Sequence, residues 1–113
     1  MIRRGDLWWA NLPRPRGSGP GFRRPVVVAQ ANAFSESAIR TVIVVAISSN
    51  LRLADAPGNF VLKARKGRLE KASVVNVSQL LTMDKAVLDG RVGRLSLDEI
   101  KAFDAGMRTV LAL

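Results

Sequence analysis

Apolar residues in this chain fall into short runs broken by polar and glycine-rich stretches, the pattern of many short strands rather than long helices. Residues 2–12 form the first expected strand, with Asp6, Trp8, Ala10 and Leu12 on one face and Leu7, Trp9 and Asn11 on the other. Adjacent tryptophans in a strand must point to opposite faces. One is therefore expected in the core and the other near a surface or interface. Packing is the expected use of either ring, with a base-stacking platform as the alternative. Residues 25–29 read as a compact buried-type strand around Val26, Val27 and Val28. Residues 41–47 are the strongest strand in the chain, and they stop abruptly at Ser48-Ser49-Asn50. Residues 60–62 make a short strand, and 73–77 with 79–83 make one bent strand or two consecutive ones. Asp89-Gly90 reads as a turn leading to a last strand over 91–95. Residues 30–40 and 51–58 read as loops.

The period changes after Ser96-Leu-Asp-Glu99, a capping box in which a hydroxyl and a glutamate three residues on close the first helical turn. Ile100, Phe103, Met107, Val110 and Leu111 follow at helical spacing, with Asp98 and Glu99 at the positive end of the helix dipole. Gly106 is expected to weaken this helix by about 1 kcal/mol relative to alanine. Many short strands followed by one helix predict a mainly β fold with a C-terminal α-helix. The expected form is a single domain over 1–113, a small barrel closed or nearly closed and capped by that helix.

Composition narrows the chemistry. The chain has 113 residues, no cysteine and no histidine. Disulfides, thiolate metal sites, histidine general bases and histidine-ligated zinc are all excluded. No apolar run approaches the roughly 20 residues that would span a bilayer, and no hydrophobic segment follows the first charges. With no cysteine, a reducing cytoplasm is the expected location. The net charge of +9 is concentrated in two segments. Residues 1–24 hold Arg3, Arg4, Arg14, Arg16, Arg23 and Arg24 against Asp6. Residues 63–71 hold Lys63, Arg65, Lys66, Arg68 and Lys71 against Glu70. If folding joins them, they make a face for a polyanion.

One stretch stands out chemically. Gly17-Ser-Gly-Pro-Gly-Phe-Arg-Arg-Pro-Val-Val-Val28 is a glycine-rich loop that runs into a β-branched strand. Pro25 pushes Arg24 into an extended conformation, holding a guanidinium at the mouth of a buried strand where it can meet a phosphate. An ordinary surface hairpin with a solvated arginine pair is the plainer reading. Ser48 either just terminates its strand or sits opposite Arg24, if the two strands pair.

Taken in order, Arg4-Gly-Asp-Leu-Trp-Trp9, Gly17 to Val28, Val44-Val-Ala-Ile-Ser48, Ala72-Ser-Val-Val-Asn76, Gln79-Leu-Leu-Thr-Met-Asp-Lys85 and Gly93-Arg-Leu-Ser-Leu-Asp-Glu99 resemble the MazF/PemK (Kid) family. These are the toxins of bacterial type II toxin–antitoxin pairs. The resemblance implies an SH3-like barrel that dimerises and cleaves single-stranded RNA without a metal. It implies Arg24 and Ser48 as the catalytic centre. Two departures accompany it. A Gly-x-Glu common in the family's loop is Gly17-Ser18-Gly19 here, and an acidic residue common before the later glutamine is Ser78.

Cleavage by a neighbouring 2′-hydroxyl requires a base, a group to stabilise charge on the phosphoryl oxygens, and an acid for the leaving oxygen. Arg24 suits the second task and could serve as an inefficient acid, whereas Ser48 can donate to the scissile phosphate or hold the attacking hydroxyl. The base is not identified. Expected RNA contacts are Arg14, Arg16, Gly17, Gly19, Arg23, Ser49, Asn50, Arg52, Lys63, Arg65, Lys66, Arg68, Ser78 and Gln79, with no metal or cofactor. The expected partners are single-stranded RNA, a cognate acidic antitoxin and a second copy of the chain, with no membrane. The alternative is a barrel that binds RNA or a protein such as gyrase without cutting.

Overall fold

The computed structural model describes residues 1–13, 17 and 22–113. The strands are β1 (Asp6–Leu12), β2 (Phe22–Val28), β3 (Thr41–Ser48), β4 (Phe60–Leu62), β5 (Ser73–Asp84) and β6 (Leu88–Arg94). They form one sheet of order β4-β5-β3-β2-β1-β6, every pairing antiparallel. A helical turn, α1 (Asn32–Ser35), follows β2, and the long helix α2 (Leu97–Leu111) ends the fold. The architecture is a curled six-stranded half-barrel with a C-terminal helix, as the sequence pattern predicts.

The sheet buries both faces because its strands are apolar on both. Leu7, Val27, Val45, Ile47 and Val75 form one cluster with Phe103 and Met107 of α2. Ala10, Val26, Val28, Val42 and Val44 form the other, rimmed by Trp8, Leu81, Met83 and Leu88. The two tryptophans divide as strand alternation requires. Trp9 packs on the helix-side cluster and Trp8 on the opposite one, so neither is a purely exposed ring.

Helix α2 carries the expected capping box: Glu99 N donates to Ser96 Oγ at 3.2 Å, and Ser96 N donates to Glu99 Oε1 at 2.8 Å. Its stripe is buried at Phe103 and Met107 and half-buried at Ile100, but emerges at Val110 and Leu111. Gly106 is more than a weak helix former. A β-carbon there would lie 2.5 Å from the Gly58 carbonyl oxygen and 2.9 Å from Val77 Cγ1, so the glycine is what lets the helix approach.

Several elements differ from the sequence expectation. β1 starts at Asp6 because residues 3–6 turn first, with Asp6 N donating to Arg3 O and Arg3 N donating to Asp6 Oδ2. Residues 51–58 are not an open loop, since Leu51–Asp55 makes a 3₁₀ turn capped by Asn50. Residues 73–84 are one strand, with an irregular register against β3 between Val45 and Ile47. Asp89-Gly90 is not a turn. The break between strands comes earlier, in a 3₁₀ turn at Lys85–Val87 capped by the Asp84 side chain, and β6 runs through Asp89 and Gly90. Gly90, at φ 94°, lies where the β1–β6 register shifts, so its conformational freedom serves a bulge.

β4 and β6 are the edges of the sheet, and one side chain spans the seam between them. The Arg68 guanidinium donates to Lys63 O, just beyond β4, at 3.1 Å and to Arg94 O, the last residue of β6, at 3.3 Å.

Candidate functional site

The β2–β1 register pairs Ala10 with Arg24 and Trp9 with Pro25, and the β2–β3 register pairs Val26 with Ala46. Two residues further along that register, Arg24 comes level with Ser48. The β2–β3 ladder stops at Val26, next to Pro25, which has no N–H to give. Beyond this point the strand ends border a cleft of about 670 Å³. Arg23, Arg24 and Pro25 line one side, Ser48 and Ser49 another, and the segment from Gly67 to Lys71 a third, with Trp9 also in the wall.

Arg24 is half-buried, and its Nε is enclosed without a hydrogen-bond partner among the described residues. As a cleft-lining guanidinium it offers charge-assisted donors that favour an anionic occupant. Ser48 Oγ accepts the Asn50 backbone N–H at 3.1 Å, which fixes the oxygen and leaves its own hydrogen to donate. Glu70 is the one carboxylate among the described lining residues. The chain on either side of it is tied down. Arg65 N donates to Leu69 O at 2.8 Å, the Leu69 side chain is buried, and Ser73 Oγ donates to Lys71 O at 3.1 Å.

The two basic segments do meet at the cleft, through Arg23, Arg24 and Lys71, but much of their charge is used elsewhere. Arg4 donates from Nη1 to Asp104 Oδ1 at 2.8 Å and lies over the Phe103 ring at 5.2 Å. Arg3 pairs with Glu36 at 3.4 Å. Arg68 lines the cleft, but its side chain is only 6% exposed and makes bonds of 2.6 and 3.1 Å to Glu99, so its charge is paired within the fold. Burial alone would raise the Glu99 carboxyl, but the Arg68 hydrogen bond and the Ser96 backbone N–H outweigh it and hold it below its ordinary value of 4.5.

Asn50, Arg52, Lys63, Arg65, Lys66, Ser78 and Gln79 are outside the cleft wall. Asn50 caps the 3₁₀ turn by accepting Arg52 N, and Ser78 Oγ donates to Asn76 Oδ1 at 3.3 Å. Gly17 has φ 60° with nothing within 4 Å of where a β-carbon would sit, whereas Arg14, Arg16 and Gly19 lie outside the described residues. Trp9, Glu70 and Lys71 were not among the expected contacts. The paired tryptophans and the basic run 63–71 carried a signal for the region, but not for which side chains turn inward.

A family described as PemK-like, MazF-like toxin of type II toxin–antitoxin system matches residues 3–111. The chain belongs to this family. It is 42% identical over 113 residues to Endoribonuclease MazF6 of Mycobacterium tuberculosis, covering 100% of this chain and 99% of that one. The identity and coverage are the same for Endoribonuclease MazF2 of Mycobacterium bovis. Among solved structures, MazF (Form-I) from Deinococcus radiodurans superposes with a TM-score of 0.82 at 18% identity, covering 99% of this chain and 97% of that one. A mycobacterial endoribonuclease in complex with its cognate antitoxin superposes at 0.79 and 18% identity, covering 100% and 97%. At that identity the superpositions establish the MazF-like fold, and the family match establishes membership among the toxins.

Proposed function

We propose that this toxin is an endoribonuclease that cuts single-stranded RNA by attack of the neighbouring 2′-hydroxyl, with Arg24 and Ser48 at the scissile phosphate. The observation that carries this reading is that Arg24 and Ser48 line one cleft, together with Arg23 and Lys71. The 42% identity to proteins named endoribonucleases supports it.

In this reading the Arg24 guanidinium binds phosphoryl oxygens and stabilises the charge that grows on them as phosphorus becomes five-coordinate. Ser48, its oxygen fixed by Asn50 N, donates its hydrogen to a phosphate oxygen. Glu70 accepts the 2′-hydroxyl proton as the 2′-oxygen bonds to phosphorus. The P–O5′ bond breaks, and the departing oxygen takes a proton from the Arg24 or Lys71 side of the cleft. The products are a 2′,3′-cyclic phosphate and a 5′-hydroxyl. Among the described residues, no group of three or more carboxylates could hold a metal ion, and each role here falls to a side chain of this chain. Much of the rate comes from alignment and charge stabilisation.

The same electropositive cleft is the proposed docking place of an acidic antitoxin segment, as RNA and carboxylates answer to one field. A homodimer in the cytoplasm completes the proposal. The emergent apolar end of α2, with Val110 39% and Leu111 48% exposed, supports self-association. No helix among the described residues is long and apolar enough to cross a membrane.

The test is incubation of the purified protein with a long single-stranded RNA, alongside Arg24→Ala, with circular dichroism of both. Cleavage by the parent and none by a folded Arg24→Ala is the expected result. Equal cleavage by both proteins removes Arg24 from the mechanism.

A further inference from the structure

One wall of the cleft is built differently from the phosphate-binding side. Across β2, β1 and β6 the register sets Arg23 opposite Asn11 and diagonal to Trp9 on one sheet face. The Arg23 guanidinium carbon lies 4.4 Å from the centre of the Trp9 ring. The indole is anchored from below by the helix-side core, and both side chains border the cleft. The guanidinium is steadied from the side, where Arg23 Nε lies 3.7 Å from Asp89 Oδ2 and Asn11 Nδ2 donates to the same oxygen at 3.5 Å. The Arg23 side chain remains half exposed. A planar cation backed by an aromatic ring, oriented and open on one side, is suited to a flat π-surface.

We propose that Arg23 and Trp9 form a base-stacking shelf, on which a nucleobase next to the phosphate held at Arg24 stacks against the open face of the guanidinium. The inference rests on the RNA-cleaving reading of the cleft and adds to it a subsite that meets the base rather than the backbone. Arg23 and Arg24 leave β2 on opposite faces, yet both border the cleft, so a strand bound there presents its phosphate to one and an adjoining base to the other. Stacking accepts any base, so the shelf supplies affinity and register along the strand more than sequence choice.

The experiment measures binding of a 2′-O-methylated, non-cleavable single-stranded RNA and of versions abasic at each position flanking the cleavage point. Wild type should bind one abasic version on the order of 10-fold more weakly than the intact strand. In Arg23→Lys and Trp9→Leu that penalty should vanish at the same position, while the penalties elsewhere persist. Arg23→Lys keeps the charge at an exposed site, so it reads out the shelf even if Trp9→Leu fails to fold. A uniform response of wild type to all abasic positions overturns the shelf, and so does a penalty that survives in Arg23→Lys; either leaves RNA binding itself intact. A wild-type protein that neither binds nor cuts RNA overturns the shelf and the functional reading together.

Discussion

Arg68 and Glu99 form a two-point ion pair, 2.6 Å from Nη1 to Oε1 and 3.1 Å from Nη2 to Oε2, at the seam between the edge strands β4 and β6. The same guanidinium reaches the carbonyls beyond β4 and at the end of β6, and the same carboxylate caps α2. One pair thus ties both sheet edges to the helix, and with them the segment that carries Glu70 and Lys71.

Glu99→Gln isolates the charge in this arrangement, because glutamine can still reach the Ser96 N–H. Removing one partner of a buried pair is expected to cost on the order of 3 kcal/mol at neutral pH. The Glu99 pKa is lowered in the folded state, so the carboxylate contributes its full stabilisation above about 4.5. That contribution disappears as pH falls through the lowered value. Denaturation midpoints of the two proteins should therefore differ at pH 7 and converge in acid. A constant difference at every pH would show that the charge is not what matters.

Gly106→Ala sets helix propensity against packing. Propensity alone favours alanine by about 1 kcal/mol. The contact with the Gly58 carbonyl predicts the reverse, a net loss of roughly 1–3 kcal/mol by chemical denaturation. A stabilised variant would mean that the helix and the Gly58 turn separate readily.

How much of this was legible in the chain differs by feature. The Ser96–Glu99 box and the extended Arg24-Pro25 step are local signals and stand as read. Trp8 and Trp9 take opposite faces as strand alternation requires, although both are half-buried rather than one in the core and one at the surface. Arg68 looked like one cation in a basic run because its partner is 31 residues away. Arg3 and Arg4 were counted toward an anion-binding face for the same reason, although Glu36 and Asp104 take them up. Asp89-Gly90 carries the composition of a turn, and only pairing with β1 turns it into a bulge. Tertiary partners decide such cases, and charge counting cannot see them.

The salt dependence of RNA binding follows from the corrected charge map. Among the described residues, the cleft's cations outside the Glu99 pair are Arg23, Arg24 and Lys71. With Arg23 stacked on a base, two phosphates neutralised, at Arg24 and Lys71, give a log–log slope of about −1.4 for single strands. An acidic antitoxin peptide should compete with RNA and show its own loss of affinity with salt. Simultaneous binding of both, with unchanged affinities, would place the peptide elsewhere.

Within the site, Arg24→Lys should recover little of the cleavage lost in Arg24→Ala, because an ammonium cannot replace a two-pronged contact. Ser48→Ala should reduce the rate less, since it removes a single neutral donor. Initial rates on one defined RNA compare the three variants. A Ser48→Ala rate below that of Arg24→Ala would reverse the assigned roles.

The central claim is that side chains of this cleft alone carry out transesterification, and the chemistry of the product ends tests it most directly. RNA cut by the purified protein in EDTA should carry 2′,3′-cyclic phosphate and 5′-hydroxyl termini, with the rate unchanged by the chelator. Termini bearing 5′-phosphate, or cleavage abolished by EDTA, would contradict it.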